Sequence, residues 1–134
     1  MAAKEQIDTF LASPAFGVVG ASANRHKFGN KVLRCYQQHG HRVIPVNPNE
    51  KEIEGVACVA GIADLPPDVE SISMITQPQV TEQLVPLAIE KGIKNIWMQP
   101  GAESPAAVAL CRQREINVIA DGSCLLVVLG YHDH

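Results

Sequence analysis

Short runs of apolar residues alternate along this chain with longer stretches in which apolar side chains recur every three or four positions. Residues 16–19, 42–46, 71–75, 95–98 and 118–120 form the runs and read as strands. They are nearly all apolar rather than alternating, the mark of strands covered on both faces. The stretches between them read as helices. One spans about 29–39 and stops at Gly40; another carries Val80, Leu84, Leu87, Ala88 and Lys91 at helical spacing and stops at Gly92, with Pro86 inside it as a predicted kink. Ser104-Pro105 supplies an N-cap and a first-turn proline for a helix through Ala107, Val108 and Cys111. A lead-in helix is expected over 4–11, with Ile7, Phe10 and Leu11 on one face. Residues 50–65 read as irregular apart from one helical turn at 62–65, and 124–129 as a terminal helix or strand.

Strands separated by helices predict an α/β fold: a Rossmann-like, doubly wound sheet of five parallel strands with helices on both faces. The expected strand order is 3-2-1-4-5, within a single domain over 1–134. Such sheets bind ligands beyond the carboxyl ends of their strands, where the winding reverses. The polar punctuation of the chain falls at those ends, at Gly20–Ser22, Asn47-Pro48, Thr76-Gln77-Pro78 and Gln99-Pro100-Gly101.

The first of these loops is the most informative. Strand, glycine-flanked polar loop and helix follow one another from Phe16 through Gly20 and Gly29 to Tyr36. A helix begun this way points unpaired N–H groups and a positive dipole end at one spot, which suits phosphate. Ser22 and Asn24 add short polar side chains, and Arg25 and Lys27 add positive charge. The dinucleotide fingerprint would put a second glycine at Ser22 and a third soon after; here the next glycine waits until Gly29, so the loop is longer and more basic.

The remaining composition narrows the classes. With 11 basic and 14 acidic residues the net charge is −3, so a general attraction to nucleic acid or anionic membrane is not expected. Residues 1–10 lack the apolar centre of a signal peptide and no later run is long enough to span a bilayer, so a cytoplasmic location is the expectation. Cys35, Cys58, Cys111 and Cys124 show neither a C-x-x-C pair nor zinc-type spacing, and the five histidines form no ligand pattern, so no metal site is expected. No Ser-His-acid or Cys-His-acid set is evident, and no catalytic residue is assigned.

Three motifs in order carry a resemblance: Gly20-Ala21-Ser22 with Gly29, Val43-Ile44-Pro45-Val46-Asn47-Pro48, and Ile96-Trp97-Met98-Gln99-Pro100-Gly101-Ala102-Glu103-Ser104. Over about residues 15–124 the chain resembles the small CoA-binding domain proteins. These are single-domain relatives of the N-terminal CoA-binding domain in the succinyl-CoA synthetase α subunit and the ADP-forming acyl-CoA synthetases. The resemblance implies that Ser22, Asn24, Arg25 and Lys27 hold CoA phosphates, with Gly20 and Ala21 allowing close backbone approach. It implies that Asn47 and Pro48 lie near the adenosine end, that Lys51 meets a phosphate, that Thr76, Gln77 and Pro78 line the groove, and that Gln99 closes its far side. Two positions depart from the pattern. Asp121-Gly122-Ser123-Cys124 stands where many relatives have Asp-basic-Cys, and Glu115 stands where a helix-ending glycine is common.

In the larger synthetases a phosphorylated histidine lies in a second domain, and none of the histidines here sits in a recognisable counterpart. The expected function is therefore binding of coenzyme A or acyl-CoA by a non-catalytic binding or sensing module, with a protein partner or homodimer left open. Two alternatives stand beside it: an NAD(P)-dependent oxidoreductase with Lys51 accepting a ribose phosphate, and an interaction subunit that has lost its ligand. An NAD site wants an acidic residue at the end of the second strand, where this chain has Asn47.

Overall fold

The computed structural model describes residues 4–133. Its elements run α1 (Lys4–Leu11), β1 (Ala15–Val19), α2 (Phe28–Gln38), β2 (Val43–Val46), β3 (Glu52–Ile53), β4 (Val56–Ala57), a 3-10 turn (Ile62–Asp64), β5 (Val69–Met74), α3 (Pro78–Lys91), β6 (Asn95–Met98), α4 (Pro105–Gln113), β7 (Asn117–Ile119) and α5 (Leu125–Leu129). The apolar run after Cys124 is thus a helix. α3 continues through Pro86, which lies on its exposed side, where the lost intrahelical bond is least costly.

Five strands pair in parallel in the order β2-β1-β5-β6-β7. Numbered by their place in the sheet's own chain order this is 2-1-3-4-5, not the expected 3-2-1-4-5. The physical reason lies in β2. Pro45 has no N–H to give a further strand on its outer side, which confines β2 to the edge. Its carbonyl faces outward and accepts from the Val59 N–H at 3.0 Å, while Asn47 N–H donates to the Val59 carbonyl at 2.9 Å. The chain then returns past β1 through an unpredicted feature, the small antiparallel hairpin β3–β4, whose two-residue turn has positive φ at both Glu54 (49°) and Gly55 (79°).

The sheet is covered on both faces. α3, α4 and the 3-10 turn pack on one side against Val19, Ile72, Met74, Ile96 and Met98; α1, α2 and α5 cover the other through Phe10, Leu33, Tyr36 and Leu125. On that second face β5 presents Ser71 and Ser73, small enough to leave room for an aromatic cluster. Phe16 stacks on Tyr36 at 4.7 Å and Trp97 meets Phe10 edge-on at 5.2 Å. Both serines are hydrogen-bonded, Ser73 to the Tyr36 hydroxyl at 2.7 Å and Ser71 to Ser13, Asn95 and the Phe10 carbonyl. At β7, Gln6 of α1 donates to the Val118 carbonyl and Asn117 donates to the Gln6 carbonyl. No helix among the described residues is long and apolar enough to cross a membrane.

Candidate functional site

In a sheet of this order the winding reverses between β1 and β5, so a crevice is expected beyond the ends of those two strands. Three backbone segments meet there. Gly20, with φ of 91°, sits so close to the end of β5 that a Cβ would overlap the Ile75 carbonyl oxygen. Gly29, in the first turn of α2, lies against the Gly20 carbonyl in the same manner. The delayed glycine therefore performs the close helix-to-strand packing that the third glycine performs in a dinucleotide site.

Between them the loop is held by its own side chains. Ser22 Oγ accepts from the Asn24 N–H at 3.1 Å, and Asn24 Oδ1 accepts from the His26 N–H at 3.0 Å. Lys27 is the N-cap of α2 and makes no side-chain cap, so the amino end of that helix has no side-chain partner at its N-cap. Asn47 anchors the neighbouring turn. Its Nδ2 donates to the Ala21 carbonyl at 3.0 Å, and its Oδ1 accepts from the N–H groups of Asn49 and Glu50.

Two adjoining hollows open at this point and share Gly20, Ala21 and Asn47. The larger, about 620 Å³, is walled by Ser22, His26, Lys27, Phe28, Gly29 and Ile75. The smaller, about 370 Å³, is mostly apolar, walled by Val19, Val46, Pro48, Ile62, Val80 and Leu84, with Thr76 at its side. One half thus has a helix amino end and the cationic Lys27; the other has aliphatic walls. That pairing suits an organic phosphate with a flat or apolar portion. A groove of about 550 Å³ opens at the opposite ends of the strands, but the carboxyl ends of α3 and α4 at Gly92 and Glu115 face it, the wrong dipole sign for an anion.

Among the residues singled out in the sequence, Gly20, Ala21, Ser22, Lys27, Asn47, Pro48 and Thr76 come together on the walls of the hollows. Asn24 sits behind them as a loop-shaping residue. Arg25 turns elsewhere: its Nε lies 3.6 Å from Glu54 Oε2, on a shallow groove with Arg34 and Gln37. Lys51 is exposed and outside both hollows, and Gln77 and Pro78 form the exposed start of α3. Gln99 is 3 % exposed, with its amide turned inward; Oε1 accepts from the Leu125 N–H at 2.8 Å and Nε2 points at Cys124 Sγ at 3.4 Å. The strand order explains this placement: β5 stands between β1 and β6, so Gln99, which follows β6, lies one strand away from Gly20.

Phe28 was not evident from the sequence as a wall residue. It is 60 % exposed at the junction of loop and helix, with Lys31 Nζ 5.9 Å from its ring centre. An apolar side chain left in water beside a basic loop is the signal that marks it. Val80 and Leu84, one turn apart on α3, read equally well as core positions in the sequence.

A family model described as a CoA binding domain matches residues 15–129, which include all the motif residues above. The chain belongs to the CoA binding domain family. Its relatives come at several lengths. The α subunit of the ADP-forming acetate–CoA ligase II of Pyrococcus furiosus is 28 % identical over 91 residues, covering 67 % of this chain and 20 % of the subunit. This CoA binding domain chain therefore spans about a fifth of that ligase subunit's length. The uncharacterized protein YneT of Bacillus subtilis is 23 % identical, with 81 % of each chain covered. Among solved structures, a conserved hypothetical protein from Pyrococcus furiosus superimposes with a TM-score of 0.81 at 38 % identity, over 85 % of this chain and 97 % of that one.

Proposed function

We propose that this chain binds coenzyme A or an acyl-CoA in the β1/β5 crevice and acts as a non-catalytic binding or sensing module. The observation that carries the reading is the pairing of the two hollows. A helix amino end beside Lys27 and His26 suits the phosphates, and an aliphatic hollow next to it suits the adenine or the pantetheine arm. Ser22, Lys27, Gly20 and Ala21 form the phosphate side of the proposed site, and Asn47, Pro48 and Thr76 its other wall. Asn24 shapes the loop, while Arg25, Lys51, Gln77, Pro78 and Gln99 stand outside the hollows.

Polar atoms around the crevice are engaged in holding loops together, Ser22 by Asn24, Asn47 by Ala21 and Thr76 by Thr81 at 2.6 Å. That favours holding a ligand over transforming one. Membership of the CoA binding domain family and the neutral Asn47 at the end of β2 both favour CoA over NAD.

Thermal unfolding with CoA, dephospho-CoA and NADPH in parallel tests the reading. CoA at 100 times its dissociation constant stabilises the folded chain by about 2.7 kcal/mol. A melting temperature that moves with NADPH and not with CoA, or with neither at millimolar concentration, overturns it.

A further inference from the structure

We infer that Asn30 and Arg34 are positioning residues, which together hold the 22–27 loop in the shape that receives the ligand; this rests on the reading of the β1/β5 crevice as a CoA site. An anion-binding loop must turn its carbonyl oxygens away from the anion, and something must hold them there. Ala23 to Phe28 are exposed, and most of the side chains between Ser22 and Lys27 have no core to grip. The hold comes from α2 instead.

Asn30 and Arg34 lie one turn apart on the buried side of α2, 0 % and 6 % exposed. Asn30 Nδ2 donates to the Ser22 carbonyl at 2.9 Å, and Arg34 Nη2 donates to the Arg25 carbonyl at 2.8 Å. The two are joined to each other, Arg34 Nε donating to Asn30 Oδ1 at 2.7 Å. The start and the middle of the loop are thus tied by one linked pair. A guanidinium can make such a tie because its donors are fixed in one plane, so that Nε and Nη2 serve two acceptors at once.

The pair is itself supported from outside. Asn30 Nδ2 also reaches Glu54 Oε2 at 3.2 Å, the carboxylate that pairs with Arg25. Arg34 Nη1 lies 3.4 Å from Asp133 Oδ1, and its guanidinium carbon is 5.4 Å from the centre of the Tyr131 ring. A nearly buried cation is tolerated only with this degree of satisfaction. Its position therefore serves the loop carbonyls rather than the crevice, on whose walls neither Asn30 nor Arg34 stands.

The test compares wild type, Arg34→Met and Arg34→Lys by CoA titration and by backbone amide hydrogen exchange of the unliganded chains. If the ligand-ready loop falls to about one molecule in ten in Arg34→Met, apparent CoA affinity drops about tenfold. Exchange at 22–27 accelerates while β1 and β5 stay protected. Arg34→Lys keeps the charge and loses the planar fork, so it shows the same loosening, in smaller degree, and decides the matter if Arg34→Met does not fold. Equal CoA affinity and unchanged exchange at 22–27 in the folded variant overturn the inference. If wild type takes up no CoA, the reading of the crevice fails, and the exchange comparison alone decides whether the pair holds the loop.

Discussion

Replacing Gly29 by alanine adds one methyl group at the tightest point of the fold. In an ordinary first turn of a helix that change gains about 0.5–1 kcal/mol, because alanine restricts the unfolded chain. Here the new Cβ overlaps the Gly20 carbonyl oxygen and stands 3.1 Å from the Gly20 carbonyl carbon and 3.3 Å from Ala21 Cα. All three obstacles are backbone, so no side chain can rotate away. Overpacking of this kind costs about 1–3 kcal/mol, and the upper part of that range applies when the obstacle is main chain. The net expectation is a loss of about 2 kcal/mol. For 134 residues the unfolding entropy is about 0.28 kcal/mol/K, so the melting temperature falls by about 7 °C. Urea unfolding followed by fluorescence of Trp97, the one tryptophan and fully buried, provides the assay. The strain is relieved by moving α2 away from Gly20, so CoA affinity should fall with stability. A Gly29→Ala chain as stable as wild type, or more so, refutes the packing argument.

Two further outcomes follow from the backbone and from burial. Glu115, exposed just past the end of α4, has φ of 59° while Ile116 N–H closes the helix on the Cys111 carbonyl at 2.9 Å; Glu115→Gly should stabilise by about 1 kcal/mol, read as a rise of about 3–4 °C in melting temperature. His41 packs edge-on to Phe16 at 5.1 Å, and burial, with the neighbouring charge of His39, holds its pKa below the usual 6.5. Its contribution to stability is therefore present above the unfolded value and lost as pH falls through the lower folded one, so urea midpoints should decline from pH 7.5 to 5, and less steeply in His41→Gln.

The elements were legible in the sequence because each strand is a compact apolar run bounded by glycine, proline or asparagine. Their order in the sheet was harder to read, since strand periodicity is blind to which strands are neighbours. The clue was Pro45, whose missing N–H already confined the second strand to an edge. The β3–β4 hairpin escaped notice because two-residue strands leave no period, and Glu54 is an unusual occupant of a turn that needs positive φ. Of the residues expected at the crevice, Gly20, Ser22 and Asn47 lie on its walls, where short-range turn chemistry places them. Arg25 and Gln99 lie off those walls, since their partners, Glu54 and the N–H of Leu125, are far along the chain and only the tertiary fold brings them near.

Pro45 and Gln6 have an effect beyond the architecture. An outermost strand ordinarily offers a row of unpaired peptide groups on which another chain can grow. Along β2 that row is interrupted by the proline and occupied by Val59; along β7, only three residues long, Gln6 takes the Val118 carbonyl and is itself held by the Asn117 side chain. Both rims of the sheet are thus interrupted against strand addition. Partial loss of α1 would reopen one of them, so a chain trimmed at its amino end should become prone to self-association well before its core melts.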